Sequence, residues 1–303
     1  MKARHSAKEY HKKTLQKIYE LQSINIKKKV EEKMNYIETN KAAWEEAFDN
    51  RKPNWGENNH IRLKNEKYAF FDTDMKDLVS GLDVKDKHVA QFCCNNGREL
   101  LSLVYDGEAA SGTGFDIAEN ILNQAKQTAK KAGIENCEFV NCNLLEIPEK
   151  YYDSFDMVFF TIGALCWFQD LTHLFKVTGK CLKNGGILLI NDGHPVINML
   201  AFPGEDGYDP DNPTKLTHSY FRKEPWIGNN GMGYMSIEYE SKTFTDYSHT
   251  MSDIINALSA NKMKTIKLDE YEYDVGQIGS DIYDNKGFPV SYILVAEKSS
   301  CSR

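Results

Sequence analysis

The chain has 303 residues, of which 41% are hydrophobic, and a formal net charge of −7. This length and composition suffice for a buried core in one or two domains, and the negative charge disfavours nucleic acid as a partner of the whole molecule. No apolar run reaches the roughly 20 residues that a membrane-spanning helix needs, so we expect no membrane span.

The N-terminal segment, residues 1–82, is predicted to form a helical arm and a lid. Its first residues are charged and lack the apolar stretch of about 7–15 residues found in secretory signals, so a cytoplasmic protein is expected. Apolar residues spaced by three to four, from Leu15 to Ile26, predict an amphipathic helix within residues 1–39. That helix either packs on the following domain or contacts RNA or acidic lipid through the basic residues 27–29.

Two large aromatic residues stand out in the rest of this segment. Asn40 is predicted to cap a second helix, residues 41–48, through its side-chain oxygen. Residues 50–67 are polar and read as an irregular surface segment. Trp44 and Trp55 either face a ligand from a lid or pin the segment to the body of the protein, and the sequence leaves both interpretations open.

From residue 83 onward, strands alternate with helices. Strands are predicted at 88–93, 109–115, 137–141, 157–162 and 187–191, and helices at 98–105, 120–132 and 171–181. This alternation is typical of a parallel sheet with right-handed crossovers, that is, a doubly wound α/β domain. Residues 83–303 are therefore predicted to form one domain.

An aromatic-rich insertion interrupts this domain at about residues 195–250. Its prolines, glycines and aromatic residues predict loops with a few antiparallel strands, and the segment Gly228–Gly233 is predicted to be a hairpin turn. A helix at 251–260 and strands at 265–270 and 289–296 follow. Seven scattered cysteines, none in a Cys-x-x-Cys pair, argue against a disulfide framework or structural zinc.

Doubly wound sheets bind ligands at the carboxyl ends of their strands, beside the N-terminus of the first helix. The first such turn runs from Gln91 to Glu99, and the second strand ends at Asp116. An acid about 20 residues after the first turn accepts hydrogen bonds from the hydroxyls of a ribose. The spacing therefore predicts a nucleoside-containing cofactor.

Five segments, in order and at matching spacings, resemble the class I S-adenosylmethionine-dependent methyltransferases, and the resemblance covers about residues 83–297. They read QFCCNNG, GFDIAEN, FVNCNL, FDMV followed by ALCWFQDL, and LKNGGILLI. The family usually has Asp-x-Gly-x-Gly-x-Gly in the first turn, where this chain has Gln91, Cys93, Asn95 and Gly97. The resemblance implies a Rossmann-like α/β fold, mostly parallel with an antiparallel last strand, and S-adenosylmethionine as the cofactor.

The resemblance also implies which residues surround that cofactor. Asp116 is the expected ribose ligand, and Asn143 stands where the family's acid meets the adenine amino group, a hydrogen bond that its carbonyl oxygen can also accept. The full set of expected cofactor contacts is Cys93, Asn95, Gly97, Asp116, Ile117, Asn143, Leu144 and Thr161.

The methyl acceptor is predicted to be a small molecule that receives the methyl group on oxygen, nitrogen or sulfur. His194, which follows the fifth strand, and His249 are the candidate bases, because histidine titrates near neutrality. Either can instead be structural, since in-line methyl transfer can be catalysed largely by positioning. Trp167, Tyr220 and Trp226 are the candidate acceptor-binding residues, and an aromatic minicore under the insertion is the alternative. Asp192, His194 and His249 do not form a ligand cluster of familiar spacing, so no metal is predicted.

Three other functions stay open. A methyltransferase of RNA or protein could use the basic N-terminal helix as a docking arm, which would make binding strongly salt-dependent. A partner subunit without activity would fit the departures at Gln91, Cys93 and Asn95. A nicotinamide-dependent oxidoreductase is compatible with Asp116 but lacks Gly-x-Gly-x-x-Gly at the first turn.

Overall fold

The computed structural model describes residues 36–277 and 279–299. Its centre is a seven-stranded sheet with the strand order β3-β2-β1-β4-β5-β9-β8. The first five strands run parallel, and β9 is antiparallel to both β5 and β8. The predicted doubly wound sheet with an antiparallel last strand is therefore confirmed.

The strands and helices have the following bounds. The strands are β1 His88–Phe92, β2 Ser111–Asp116, β3 Cys137–Asn141, β4 Phe155–Thr161, β5 Leu182–Gly193, β6 Trp226–Gly228, β7 Phe244–Asp246, β8 Met263–Tyr271 and β9 Ser291–Lys298. The helices are α1 36–49, α2 Asn59–Asn65, α3 Thr73–Gly81, α4 Arg98–Gly107, α5 Glu119–Ala132, α6 Leu171–Cys181, α7 Met251–Ala260 and α8 Ser280–Tyr283. The amphipathic helix predicted within residues 1–39 lies outside the described residues except for its last four positions, which belong to α1.

The central strands are buried on both faces, which explains their nearly continuous apolar sequences. In β4, Val158 and Phe160 pack on the side of the sheet covered by α6 and α7. The alternate residues Met157 and Phe159 pack on the opposite side, against α3 and α4. The period of two along a strand thus divides the core into two layers around one sheet.

Helices α6 and α7 begin at side-chain caps. The Asp170 carboxylate accepts a hydrogen bond from the His173 N–H at 3.0 Å. Thr250 and Asp253 form a capping box, in which each side chain accepts a hydrogen bond from the backbone N–H of the other. These caps satisfy N–H groups of the first turn, and both helices start where the sequence predicted.

The prediction that Asn40 caps a helix is wrong. Asn40 lies inside α1 and is 5% exposed. Its Nδ2 donates to the carbonyl oxygen of Thr245, and its Oδ1 accepts from the N–H of the same residue, both at 2.7 Å. The side chain therefore pairs with β7 as a neighbouring strand would and joins α1 to the insertion.

The insertion contains less regular structure than expected. Its only ladder within the described residues is the three-residue pairing of β6 with β7. The connection between these strands, residues 229–243, is too long for the tight hairpin turn predicted at Gly228–Gly233. It packs on the segment after α1 instead, where the Lys52 N–H donates to Met235 and the Ile237 N–H donates to Asn50. Nowhere in the described ranges is a helix long and apolar enough to cross a membrane.

Candidate active site

A cavity of about 590 Å³ lies at the carboxyl ends of the parallel strands. This volume is in the range of sites for small molecules and cofactors. Its floor is formed by the turns after β1, β2, β3 and β4, and residues of α1, of the segments 55–72 and 232–234, and of the β8–β9 connection complete the wall. The topology therefore places the cavity where doubly wound sheets bind their ligands.

The turn after β1 has an unusual backbone. Cys93, Asn95 and Gly97 have φ angles of 52°, 50° and 68°, so every second residue is left-handed. Asparagine tolerates this region better than most residues, whereas a left-handed cysteine is strained. The turn thus keeps a conformation that glycines adopt freely, although two of its three left-handed positions are not glycine.

Asp116 fastens this turn to the end of β2. Its Oδ2 accepts a hydrogen bond from the Asn95 N–H at 2.8 Å, and its Oδ1 accepts one from the Ala118 N–H at 3.0 Å. Burial raises the pKa of the carboxyl group, and these backbone hydrogen bonds oppose that shift. Asp116 lines the cavity, so its carboxylate can also accept a hydrogen bond from a hydroxyl group of a ligand.

Asn143 and two aliphatic residues lie at the ends of β2 and β3. The Asn143 Oδ1 accepts from the Leu145 N–H at 3.0 Å and so caps the short 3-10 turn Leu144–Glu146. Ile117 and Leu144 line the cavity next to Asp116 and Asn143. This part of the site combines apolar surface with hydrogen-bonding groups, which suits a planar, polar-edged ring.

Aromatic side chains from three segments, namely the N-terminal segment, the loop after β4 and the insertion, line the cavity. Trp44 of α1 contacts Trp167 edge-on, with ring centroids 5.3 Å apart. Trp55 lies 6.3 Å from Tyr234, whose hydroxyl accepts a hydrogen bond from the Asn95 amide at 3.2 Å. All four rings line the cavity. The insertion therefore reaches the first turn through Tyr234.

Two of the predicted acceptor-binding residues lie elsewhere. The Tyr220 hydroxyl accepts a hydrogen bond from the Met251 N–H at the start of α7. The Trp226 indole donates to the Ser248 hydroxyl and packs under Arg222. Neither ring lines the cavity, because both support the loop that leads into α7. Trp167 does line it, and the insertion contributes Met232 and Tyr234 instead.

The two candidate histidine bases also lie away from the cavity wall. His194 is 4% exposed, its Nδ1 accepts from the Val196 N–H, and its Nε2 lies 2.9 Å from Oε1 of Glu270. Burial lowers the pKa of His194, and Glu270 opposes that shift. The His249 Nε2 lies 2.9 Å from the Phe168 carbonyl oxygen, and burial lowers its pKa as well. These contacts hold both rings in place outside the set of residues that line the cavity.

The expected cofactor contacts are brought together. Seven of the eight line the cavity, namely Cys93, Asn95, Asp116, Ile117, Asn143, Leu144 and Thr161. Gly97 does not line it but begins α4 behind the turn. Within the part of the chain that the structure describes, no group of three or more His, Cys, Asp or Glu side chains is placed to hold a metal ion.

The sequence analysis considered Asp192, near the end of β5, only as a metal ligand and gave its neighbour Asn191 no role. The buried Asp192 carboxylate accepts hydrogen bonds from the N–H groups of Gly163, Leu165 and Gly193. It thereby shapes the loop after β4 that carries Trp167. The pair Asn191-Asp192 closing a buried strand was the available signal, since polar residues there are uncommon without a partner.

We expect Asp192→Asn to lower the free energy of unfolding by about 2 kcal/mol, because the amide nitrogen cannot accept and leaves a buried N–H group unpaired. Urea denaturation measures this change. Asp153→Asn is the matched control, since it makes the same replacement at an exposed residue whose ion pair with Lys298 is worth at most about 1 kcal/mol. Equal losses for the two variants would contradict a role for Asp192 in holding the loop.

Comparisons with known proteins agree with this geometry. Residues 83–216 match the family model described as a methyltransferase domain. A demethylmenaquinone methyltransferase from Lactococcus lactis subsp. lactis is 32% identical over 123 residues, which are 39% of this chain and 45% of that protein. The match thus covers less than half the length of that relative.

Solved structures resemble the chain in fold. A provisionally assigned S-adenosylmethionine-dependent methyltransferase from Listeria monocytogenes has a TM-score of 0.55 at 18% identity, covering 72% of this chain and 94% of that one. A second such enzyme, from Clostridium acetobutylicum, has a TM-score of 0.53 at 11% identity, covering 80% and 96%. At these identities the likeness concerns the fold alone.

Proposed function

Residues 83–216 belong to the class I S-adenosylmethionine-dependent methyltransferases, and from this premise we propose that the chain transfers a methyl group from S-adenosylmethionine to a small molecule. The observation that carries the proposal is the left-handed turn after β1, closed by the Asp116 carboxylate at the cavity. Its geometry is retained although Cys93 and Asn95 replace glycines, which speaks against a degenerate domain.

The residues of the cavity fit this cofactor. Asp116 can accept a hydrogen bond from a ribose hydroxyl, and the Oδ1 of Asn143 can accept one from the adenine amino group. Ile117 and Leu144 would contact the adenine ring, and the turn from Cys93 to Gly97 would hold the methionine end. When bound, the cofactor supplies an electrophilic methyl group on a sulfonium.

The chain's own contribution is positioning and the exclusion of water. Trp44, Trp55, Trp167 and Tyr234 line the cavity, and we propose that the segment carrying Trp44 and Trp55 acts as a lid that excludes water. No histidine is found among the described residues that line the cavity. The proposed mechanism therefore relies on holding donor and acceptor in line, which can lower the barrier by about 7–11 kcal/mol.

Calorimetric titration with S-adenosylmethionine, S-adenosylhomocysteine and NAD tests the proposal. We expect both sulfur ligands to bind with dissociation constants on the order of micromolar, about −8 kcal/mol, and NAD not to bind. NAD is the matched control, because it also carries an adenosine ribose for Asp116 but lacks the methionine end. Failure of both sulfur ligands to bind would overturn the proposal and favour a partner subunit without activity.

A further inference from the structure

A second polar region lies at the β5 side of the cavity, apart from the expected cofactor contacts. It consists of Asp72, the N-cap of α3, and Asn191, near the end of β5, both of which line the cavity. The Asn191 Nδ2 donates to Oδ2 of Asp72 at 2.9 Å. Asn191 is 2% exposed, and its Oδ1 is buried without a hydrogen-bond partner in the described part of the chain.

The orientation of the Asn191 amide follows from its neighbour. An ionised carboxylate only accepts hydrogen bonds, so the amide nitrogen must face Asp72 and the amide oxygen must face away. A buried amide oxygen without a partner is costly and calls for an explanation. A hydrogen-bond donor on a ligand would provide its missing partner.

Asp72 has capacity for the same donor group. Its Oδ1 accepts from the Met75 N–H at 2.9 Å and lies 3.2 Å from the Tyr273 hydroxyl. Its Oδ2 accepts only from Asn191 among the described residues and retains one acceptor position. Two adjacent acceptors, Oδ2 of Asp72 and Oδ1 of Asn191, suit a group with two N–H bonds better than a hydroxyl, which has one proton.

The charge of the region favours a cation. Tyr273 shares its single hydroxyl proton between Asp72 and Asp74, and lies 2.7 Å from Oδ2 of Asp74. Neither aspartate forms an ion pair with a described lysine or arginine. The two arginines that line the cavity, Arg62 and Arg98, are paired with glutamates. Among the residues that the structure describes, these two carboxylates thus have no lysine or arginine as a counter-charge.

We propose that Asp72 and Asn191 hold the nitrogen of a primary amine, and that the methyl acceptor is therefore an amine with an aromatic or apolar body. Phe70 and Phe71 directly precede Asp72 and also line the cavity, which provides apolar surface beside the polar end. This inference rests on the proposed methyltransferase function and specifies its acceptor.

The reaction balances with no further reactant. An ammonium held at Asp72 first loses one proton to water, which leaves a neutral amine with a lone pair. This lone pair forms the new carbon–nitrogen bond while the carbon–sulfur bond breaks and its electrons stay on sulfur. The products are S-adenosylhomocysteine and an N-methylammonium, so the positive charge moves from sulfur to nitrogen. Asp72 stabilises that charge as it forms, and the ammonium later loses a proton to water.

The test uses 2-phenylethylamine, 2-phenylethanol and 3-phenylpropanoate, which share a phenyl ring and differ in their polar ends. Each is titrated calorimetrically into the full chain saturated with S-adenosylhomocysteine. In a separate assay, labelled S-adenosylmethionine is the methyl donor, and formation of labelled S-adenosylhomocysteine is followed with each compound as acceptor. We expect the amine to bind at least about tenfold more tightly than the others and to be the only methylated compound. Equal binding, no binding, or preference for the alcohol or the acid would overturn the proposal.

Two variants separate acceptor binding from cofactor binding. In Asp72→Asn, the new side-chain amide can still cap α3. The Asn191 amide can then rotate, so that its Nδ2, a donor, faces the ligand in place of its Oδ1, an acceptor. We expect this variant to lose the preference for the amine. Asn191→Leu removes the oxygen but keeps the Asp72 charge and is expected to weaken amine binding about tenfold. Both should bind S-adenosylhomocysteine as the unchanged protein does. If either variant weakens the binding of S-adenosylhomocysteine and of the amine equally, the region holds the cofactor's own amino group and the proposal fails. If the unchanged protein does not bind S-adenosylhomocysteine, the methyltransferase function itself is refuted.

Discussion

Replacing Asp116 by asparagine is expected to weaken the binding of S-adenosylhomocysteine by about a hundredfold or more. The amide keeps the size of the side chain but accepts hydrogen bonds through only one of its two terminal atoms. One of the N–H groups of Asn95 and Ala118 would therefore face an amide nitrogen. A charged acceptor for a ribose hydroxyl would also be lost, and each hydrogen bond to a charged group is worth about 1.5–3 kcal/mol.

Calorimetry on the purified variant measures this loss, and its thermal unfolding shows whether the fold is kept. The control is Asp153→Asn, the same replacement at an exposed carboxylate with a φ of 48°, which asparagine tolerates. The control should bind with unchanged affinity. An Asp116→Asn variant that is folded and binds as tightly as the unchanged protein would show that the ribose is held elsewhere.

The elements that the sequence predicted well are those encoded by neighbouring residues. α6 and α7 begin at local caps, Asp170 and Thr250, whose partners are three residues away. The parallel strands are apolar on both faces, so their sequences stand out as strands. Their alternation with helices and the resemblance to a known family were then sufficient to predict the architecture of the sheet. The expected contacts after β1, β2 and β3 lie on turns whose position follows from the same alternation.

The features that the sequence did not predict depend on distant residues. Asparagine is a residue type that often caps helices, but the side-chain amide of Asn40 forms both of its hydrogen bonds with the backbone of Thr245, 205 positions away. The insertion is rich in aromatic residues, and composition alone could not tell that Tyr234 reaches the cavity while Tyr220 and Trp226 support α7. Which aromatic side chains line the cavity depends on packing between the insertion and the N-terminal segment, and no local sequence pattern encodes that packing.

Gly97→Ala is expected to lower the free energy of unfolding by about 2–5 kcal/mol. One part of the cost is the left-handed backbone, with a φ of 68°, which is unfavourable by roughly 1–2 kcal/mol for a residue with a Cβ. The other part is space, since the new Cβ would lie 2.4 Å from Cε1 of Phe139 and 3.1 Å from Cβ of Ala125. Forcing a methyl group into such a packed position costs about 1–3 kcal/mol.

Gly185→Ala separates these two parts. Gly185 has a φ of 74°, but a Cβ there would meet no atom within 4 Å, so this variant should lose only the backbone part in urea denaturation. Adding Phe139→Leu to Gly97→Ala should recover part of the packing loss, so the double variant should lose less stability than the sum of the single changes. Equal losses for the two glycine variants would mean that the turn is not packed against β3. The same turn would hold the methionine end of the cofactor. Displacement of the turn should therefore also weaken the binding of S-adenosylhomocysteine to Gly97→Ala, whereas Gly185→Ala should bind it as the unchanged protein does.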